Sequence, residues 1–134
     1  MNSILELKVY YEDTDAGGVV YYANYLRYFE RARTEFLAQC GISVSELANK
    51  GIIFVVVKVQ AEYLFPAQLG DVLQIETNLL EIKKVSMVFD YIIRRKIDDK
   101  LLVTGSTKIA VVSPERKVIK LPEEIFNKIV GNLS

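Results

Sequence analysis

The residues best able to do chemistry lie between Tyr10 and Tyr25. Asp13-Thr14-Asp15-Ala16-Gly17-Gly18 sets two carboxylates beside two glycines, directly ahead of Val19-Val20-Tyr21-Tyr22-Ala23-Asn24-Tyr25. The first part ends an alternating segment and the second opens a segment of helical period, so the carboxylates fall between a strand end and a helix start. A helix start offers backbone N–H groups with no intrahelical partner and the positive end of the helix dipole, which suit an oxyanion or a polarised carbonyl. Glycines let a substrate approach the backbone closely. A carboxylate at such a place can attack a carbonyl or activate water. The same residue types also build ordinary turns and caps with no chemistry in them. Spacing alone leaves both readings open.

What the chain lacks narrows the chemistry. It has no histidine, which removes Ser-His-Asp and Cys-His catalysis and nearly every zinc enzyme. Its one cysteine, Cys40, can form neither an intrachain disulfide nor a cysteine-rich metal site. A carboxylate is therefore the expected acid, base or nucleophile, supported by backbone amides, hydroxyls and Lys/Arg. Lys+Arg and Asp+Glu are both 17 in 134 residues. A neutral chain lacks the basic surplus that nucleic acid as the main partner would demand. The longest apolar run, Ile52 to Val57, is far short of the roughly 20 residues of a membrane span. The segment near the N-terminus lacks the apolar stretch of a secretory signal. Cytoplasm is the expected compartment, and one domain over residues 1–134 the expected organisation.

The elements that must position the carboxylates can be read from hydrophobic period. Ile4 to Glu12 alternates, with Leu5, Leu7, Val9 and Tyr11 on one face, and predicts a half-buried strand. Tyr22, Tyr25, Leu26, Phe29, Ala32, Phe36, Leu37 and Cys40 recur at spacings of three and four, which predicts a helix from Tyr22 to Cys40 closed by Gly41. A shorter helix follows, capped by Ser43 or Ser45 and stopped by Gly51. Four strands are then expected, over Ile52 to Phe65, Val72 to Lys83, Val85 to Ile97 and Leu101 to Val112. A phase slip at Leu79-Leu80 predicts a bulge. Pro122 is expected to open a last helix running to about Val130. Consecutive strands with short links form an antiparallel sheet, and the long helix must pack on its concave side.

The motif Glu12-Asp13-Thr14-Asp15-Ala16-Gly17-Gly18-Val19-Val20-Tyr21, with Asn24-Tyr25 and Phe29-Glu30-Arg31-Ala32-Arg33, resembles the 4-hydroxybenzoyl-CoA thioesterase-like family. Within it the chain looks most like the acyl-CoA thioesterases of the bacterial Tol-Pal cluster type. The resemblance implies an α+β hotdog fold, in which about five antiparallel strands wrap a long central helix. It implies hydrolysis of acyl-CoA thioesters without a metal or organic cofactor. Asp15 matches the family's catalytic aspartate, and Asp13 becomes a turn residue or one that supports the site from behind it. The backbone N–H of Tyr22 would polarise the thioester carbonyl, with Gly17 or Gly18 near the acyl group. The Tol-Pal-type enzymes usually carry histidine where this chain has Tyr22; other members carry tyrosine, so the change bears on the acyl pocket.

The same resemblance implies that Lys83-Lys84 face the nucleotide phosphates of CoA; read without it, they are a solvated hairpin turn. Tyr21 and Tyr25 are placed to line a pocket near Asp15, although the stripe Tyr21, Tyr22, Tyr25, Tyr28 and Phe29 is otherwise core and interface. Arg94-Arg95-Lys96 reads as surface, Glu30 and Arg33 as a local pair, and Cys40 as a small buried hydrophobe. The implied assembly is a homodimer, or a dimer of dimers, joined at sheet edges with the active sites at the subunit interface. The rival from another class is a binding module for acyl-CoA or acyl-carrier protein that keeps the fold without turnover. Hydratase or dehydratase chemistry is disfavoured, because those sites of this fold use histidine.

Overall fold

A computed structural model describes residues 2–133. Among them run β1 (Asn2–Lys8), a single 3-10 turn (Tyr11–Asp13), α1 (Asn24–Gln39), α2 (Val44–Asn49), β2 (Ile53–Tyr63), β3 (Val72–Ile82), β4 (Ser86–Arg95), β5 (Lys100–Val112) and α3 (Glu123–Gly131). The strands form one antiparallel sheet in the order β1-β3-β4-β5-β2. The inward residues Leu73, Ile75, Met87, Phe89, Tyr91, Ile93, Val103, Ile109 and Val111 are buried beneath Tyr25, Tyr28, Phe29, Ala32, Phe36 and Leu37 of α1. Each such side chain contributes about 1.5–3 kcal/mol through removal from water. This is the helix-in-sheet arrangement that the family resemblance implies.

Both short helical stops are made by glycine in the left-handed region. Gly41 (φ 81°) and Gly51 (φ 84°) let the N–H groups of Ile42 and Ile52 turn back to the carbonyls of Leu37 and Leu47, at 2.9 Å each. This is the glycine C-cap that the sequence signals. Ser43 caps α2, its Oγ accepting the Glu46 N–H at 3.3 Å.

Several expectations need correction. The first strand stops at Lys8, because Tyr10–Asp13 turns away into the 3-10 turn, and Tyr11 is 82% exposed instead of facing the core. α1 starts at Asn24 and leaves Tyr22 outside it and exposed. Pro122 is the N-cap of α3, one position ahead of its first helical residue. The expected bulge is present, with the β3–β4 register shifting between Leu79 and Glu81. A second bulge lies at Val57, within the continuous apolar run that opens β2. It moves the inward phase of β2 from Phe54 and Val56 to Val59, Ala61 and Tyr63, opposite the inward residues of β5. Arg95 is not simply surface, since its guanidinium lies 3.5 Å from Asp71 and 3.0 Å from Asp98. Glu30 takes the Thr34 hydroxyl at 3.3 Å, and no Glu30–Arg33 ion pair forms among the described residues.

β2 is an edge strand. α1 lies over the β1–β3 side of the sheet, so the inner face of β2 is poorly covered, and Val56, Val57, Val59 and Tyr63 are exposed. No helix among the described residues is long and apolar enough to cross a membrane.

Candidate active site

Asp15 sits at the head of a tight loop. Its N–H donates to the Val19 carbonyl at 2.9 Å, and its carbonyl accepts the Gly18 N–H at 3.1 Å. Gly18 has φ 77°, the left-handed conformation that closes a three-residue hairpin loop after its first turn. Asp15 Oδ1 accepts the Gly17 N–H at 2.8 Å. Gly17 packs so tightly there that a Cβ on it would lie 3.3 Å from the same oxygen. The loop thus does make an ordinary Asx turn. It also holds an exposed carboxylate in one orientation, with Oδ2 taking no hydrogen bond among the described residues.

The loop is fastened to the chain that follows β2. The Val20 N–H donates to the Ala67 carbonyl at 2.8 Å, and the Leu69 N–H to the Gly18 carbonyl at 3.1 Å. The helix start is reached through Tyr21, whose N–H donates to the Asp13 carbonyl at 3.0 Å. The N–H groups of Tyr22 and Ala23 precede the first helical hydrogen bonds, and neither finds an acceptor among the described residues. These are the unspent donors that a helix start provides.

Beside them lies a cleft of about 300 Å³, lined by Val19, Val20, Tyr22, Tyr25, Tyr63, Leu64, Phe65 and Pro66. Its aromatic wall is mutually packed: the Tyr22 and Tyr63 ring centroids are 4.8 Å apart, and those of Tyr25 and Tyr63 5.5 Å. The buried Tyr25 hydroxyl accepts the Ala67 N–H at 3.3 Å, and burial pushes its phenol above the ordinary value. Tyr25 therefore stays a neutral wall. Lys100 Nζ stands 3.7 Å over the Phe65 ring.

Of the residues singled out by sequence, Asp15, Gly17, Gly18 and Tyr22 are brought into one loop-to-helix segment, and Tyr22 and Tyr25 line the cleft. Tyr21 is exposed and does not line it. Asp13 stands behind the site and not only in its turn. It is buried, 6% exposed, with Oδ2 accepting the Tyr10 N–H at 2.9 Å and Oδ1 accepting the Asn24 amide at 3.0 Å. Lys83 and Lys84 are far from all of these within one chain. The Asp15 loop abuts the Val72 end of β3 through Leu69–Asp71, whereas the lysines follow its other end, and eleven residues at about 3.3 Å each span about 35 Å. Lys83 there pairs with Glu81 at 3.4 Å.

Sequence reading missed Tyr63, Leu64, Phe65 and Pro66 as cleft walls. They are far from the motif in the chain, and an aromatic at the end of a strand is not by itself a site signal.

A curved antiparallel sheet round one long helix, with a turn-borne carboxylate and free amides at the helix start beside an apolar cleft, defines a hotdog-fold thioesterase-type domain. The chain belongs to the thioesterase-like superfamily, whose family model matches residues 9–129. It is 41% identical over 120 residues to the acyl-CoA thioester hydrolase YbgC of Escherichia coli O6:H1, covering 89% of each chain. A hypothetical protein from Thermus thermophilus, solved by crystallography, superposes with a TM-score of 0.90 at 30% identity, over 98% of this chain and 97% of that one. The 4-hydroxybenzoyl-CoA thioesterase of Pseudomonas sp. strain CBS-3 superposes with a TM-score of 0.85 at 24% identity, over 95% and 98%; at that identity the likeness speaks for the fold.

Proposed function

We infer that the protein is an acyl-CoA thioesterase: it hydrolyses acyl-CoA to the free acid and CoA, as the name of its Escherichia coli relative says of that protein. The observation that carries the site assignment is the pairing of a fixed, exposed Asp15 carboxylate with unspent N–H groups at Tyr22 and Ala23, next to an apolar cleft. In this reading the acyl group enters the cleft against Tyr22 and Tyr25. Asp15 activates the water that attacks the thioester carbonyl, or attacks it directly to form an anhydride that water then hydrolyses. The Tyr22 N–H takes the developing negative charge on the carbonyl oxygen, where a preorganised donor acts most strongly. CoA departs as a thiolate, which near neutral pH needs no strong general acid. This chain thus has the groups for the reaction without a histidine or a cofactor.

The same reading makes residues 1–134 one thioesterase domain working in the cytoplasm. It makes the protein a homodimer or a dimer of dimers, supported by the apolar, uncovered edge strand β2. It assigns Lys83 and Lys84 to the CoA phosphates. Because they stand at the far end of β3, they can serve only a site that a second copy brings to them.

Thiol release from a panel of acyl-CoA esters, short, long and aromatic, tests the activity. Turnover by the wild type and a loss of about 10²-fold or more in kcat for Asp15→Asn are expected. Binding of acyl-CoA with no hydrolysis of any ester would instead identify a non-catalytic binding module.

A further inference from the structure

We propose that Asp13 is a positioning residue for the reaction, holding Asp15 and the Tyr22 amide in register with each other; the proposal rests on the Asp15 reading above. Asp13 is joined to the chain on both sides of the Asp15 loop, at Tyr10 before it and at Tyr21 and Asn24 after it. Its own N–H donates to the Tyr10 carbonyl at 3.0 Å, and its carbonyl accepts the Tyr21 N–H at 3.0 Å. Its Oδ2 accepts the Tyr10 N–H at 2.9 Å and its Oδ1 the Asn24 Nδ2 at 3.0 Å. Asn24 is the first residue of α1, and its N–H donates to the Tyr21 carbonyl at 2.8 Å. Tyr22 therefore lies between two residues, Tyr21 and Asn24, that are both tied to Asp13. Asp15 follows Asp13 by two residues on the other side of the same knot.

Capping explains only part of this arrangement: through Oδ2 Asp13 closes the cap of the 3-10 turn at Tyr10, but Oδ1 reaches beyond that turn to Asn24 at the start of α1. Asp13 and Asn24 are both 6% exposed. The carboxylate forms no ion pair among the described residues, and the groups that donate to it are the neutral Tyr10 and Asn24 amides. What the arrangement supplies is two acceptor oxygens that fix the strand end and the helix start at once. A shift of about 1 Å between a nucleophile and its oxyanion donor lowers a rate by about 10²-fold, so a knot that removes this freedom acts on turnover and not on CoA binding.

The test is a double-mutant cycle on kcat and KM with a turned-over acyl-CoA, using Asp13→Ala, Asp15→Asn and the pair. Asp13→Ala is expected to lower kcat by about 10-fold or more with KM within about threefold. In the Asp15→Asn background it should cost no more than about twofold, because the group it positions is already gone. Asp13→Asn keeps one acceptor oxygen for the Tyr10 N–H and should fall between wild type and Asp13→Ala. If Asp13→Ala fails to fold by circular dichroism, Asn24→Ala removes the donor to Oδ1 and carries the same cycle. Equal losses in both backgrounds, or kcat for Asp13→Ala within twofold of wild type, overturn the proposal. An Asp15→Asn single variant near wild type overturns the Asp15 assignment, a result distinct from either, and the positioning role falls with it.

Discussion

The Phe29 ring of α1 lies directly on Gly105 of β5, so close that a Cβ at position 105 would stand 2.5 Å from Phe29 Cζ. The bare glycine lets the helix settle onto the sheet, where Phe29 stacks on Tyr91 with centroids 4.4 Å apart and planes at 10°. Gly105→Ala should therefore overpack the core and destabilise the fold by about 1–3 kcal/mol. Urea unfolding followed by circular dichroism measures it. A variant as stable as wild type would mean that helix and sheet can part without cost, contrary to this packing.

The uncovered edge of β2 carries the assembly prediction. Val57 stands at a bulge, 55% exposed, and Val59 is 40% exposed. Val57→Asp together with Val59→Lys should give a folded monomer by light scattering with little or no thioesterase activity, because the site is read as shared between subunits. An oligomer of unchanged size would place the interface elsewhere on the surface.

Removing the lysine pair should affect affinity and not chemistry. Lys83→Ala with Lys84→Ala should raise KM for acyl-CoA with little change in kcat. Exposed lysine–phosphate contacts are screened over about 10 Å at 0.1 M salt, so the effect should shrink as salt rises. It should vanish for an acyl-pantetheine thioester, which has no nucleotide. Equal losses on both thioesters would show the lysines acting through the fold.

The buried phenols set the alkaline limit. Burial is the main cause that holds Tyr25, Tyr28 and Tyr91 above the ordinary tyrosine value, which is near 10. The folded chain thus keeps their protons more tightly than the unfolded chain. That contribution is whole below about pH 10 and is lost as pH rises through the folded-state values. Urea midpoints should hold steady up to about pH 9.5 and then fall, with phenolate absorbance rising in step with unfolding.

Tyr28 gives a cleaner check on the buried cluster. Its hydroxyl is buried close to the polar side chains of Asp13 and Asn24 but makes no well-aligned hydrogen bond among the described residues. Tyr28→Phe should cost less than about 1 kcal/mol, or stabilise, since no bond is lost. It should also soften the alkaline fall. A loss of several kcal/mol would show that the hydroxyl is a full member of the Asp13 network.

Much of this protein is determined by local pattern. The 3.6 period of α1, the alternation of β3, β4 and β5, and the glycines at 41 and 51 each act within a few residues, and the structure forms those elements nearly as they read. The bulge at Leu79-Leu80 was legible for the same reason, because an extra residue breaks a period of two. The bulge at Val57 was not, since every residue from Ile52 to Val57 is apolar and a continuous run carries no phase to break. The Asp15 motif, too, was legible as a segment, because its turn, its glycines and the helix start are contiguous in the chain.

Only the tertiary structure decided what stands around that segment. Tyr63 to Pro66 wall the cleft because the order β1-β3-β4-β5-β2 brings the end of β2 to the helix start, and strand order depends on long-range pairing that no local period records. The burial of Asp13 was decided in the same way. An Asp-x-Asp pair in a turn reads the same whether its first carboxylate faces solvent or Asn24, and it is the first turns of α1, through Asn24 and Tyr28, that stand over Asp13. The separation of Lys83 and Lys84 from Asp15 follows from the length of β3. A strand is stiff and extended, so residues joined by one strand end up at opposite ends of the molecule, however strongly one motif groups them.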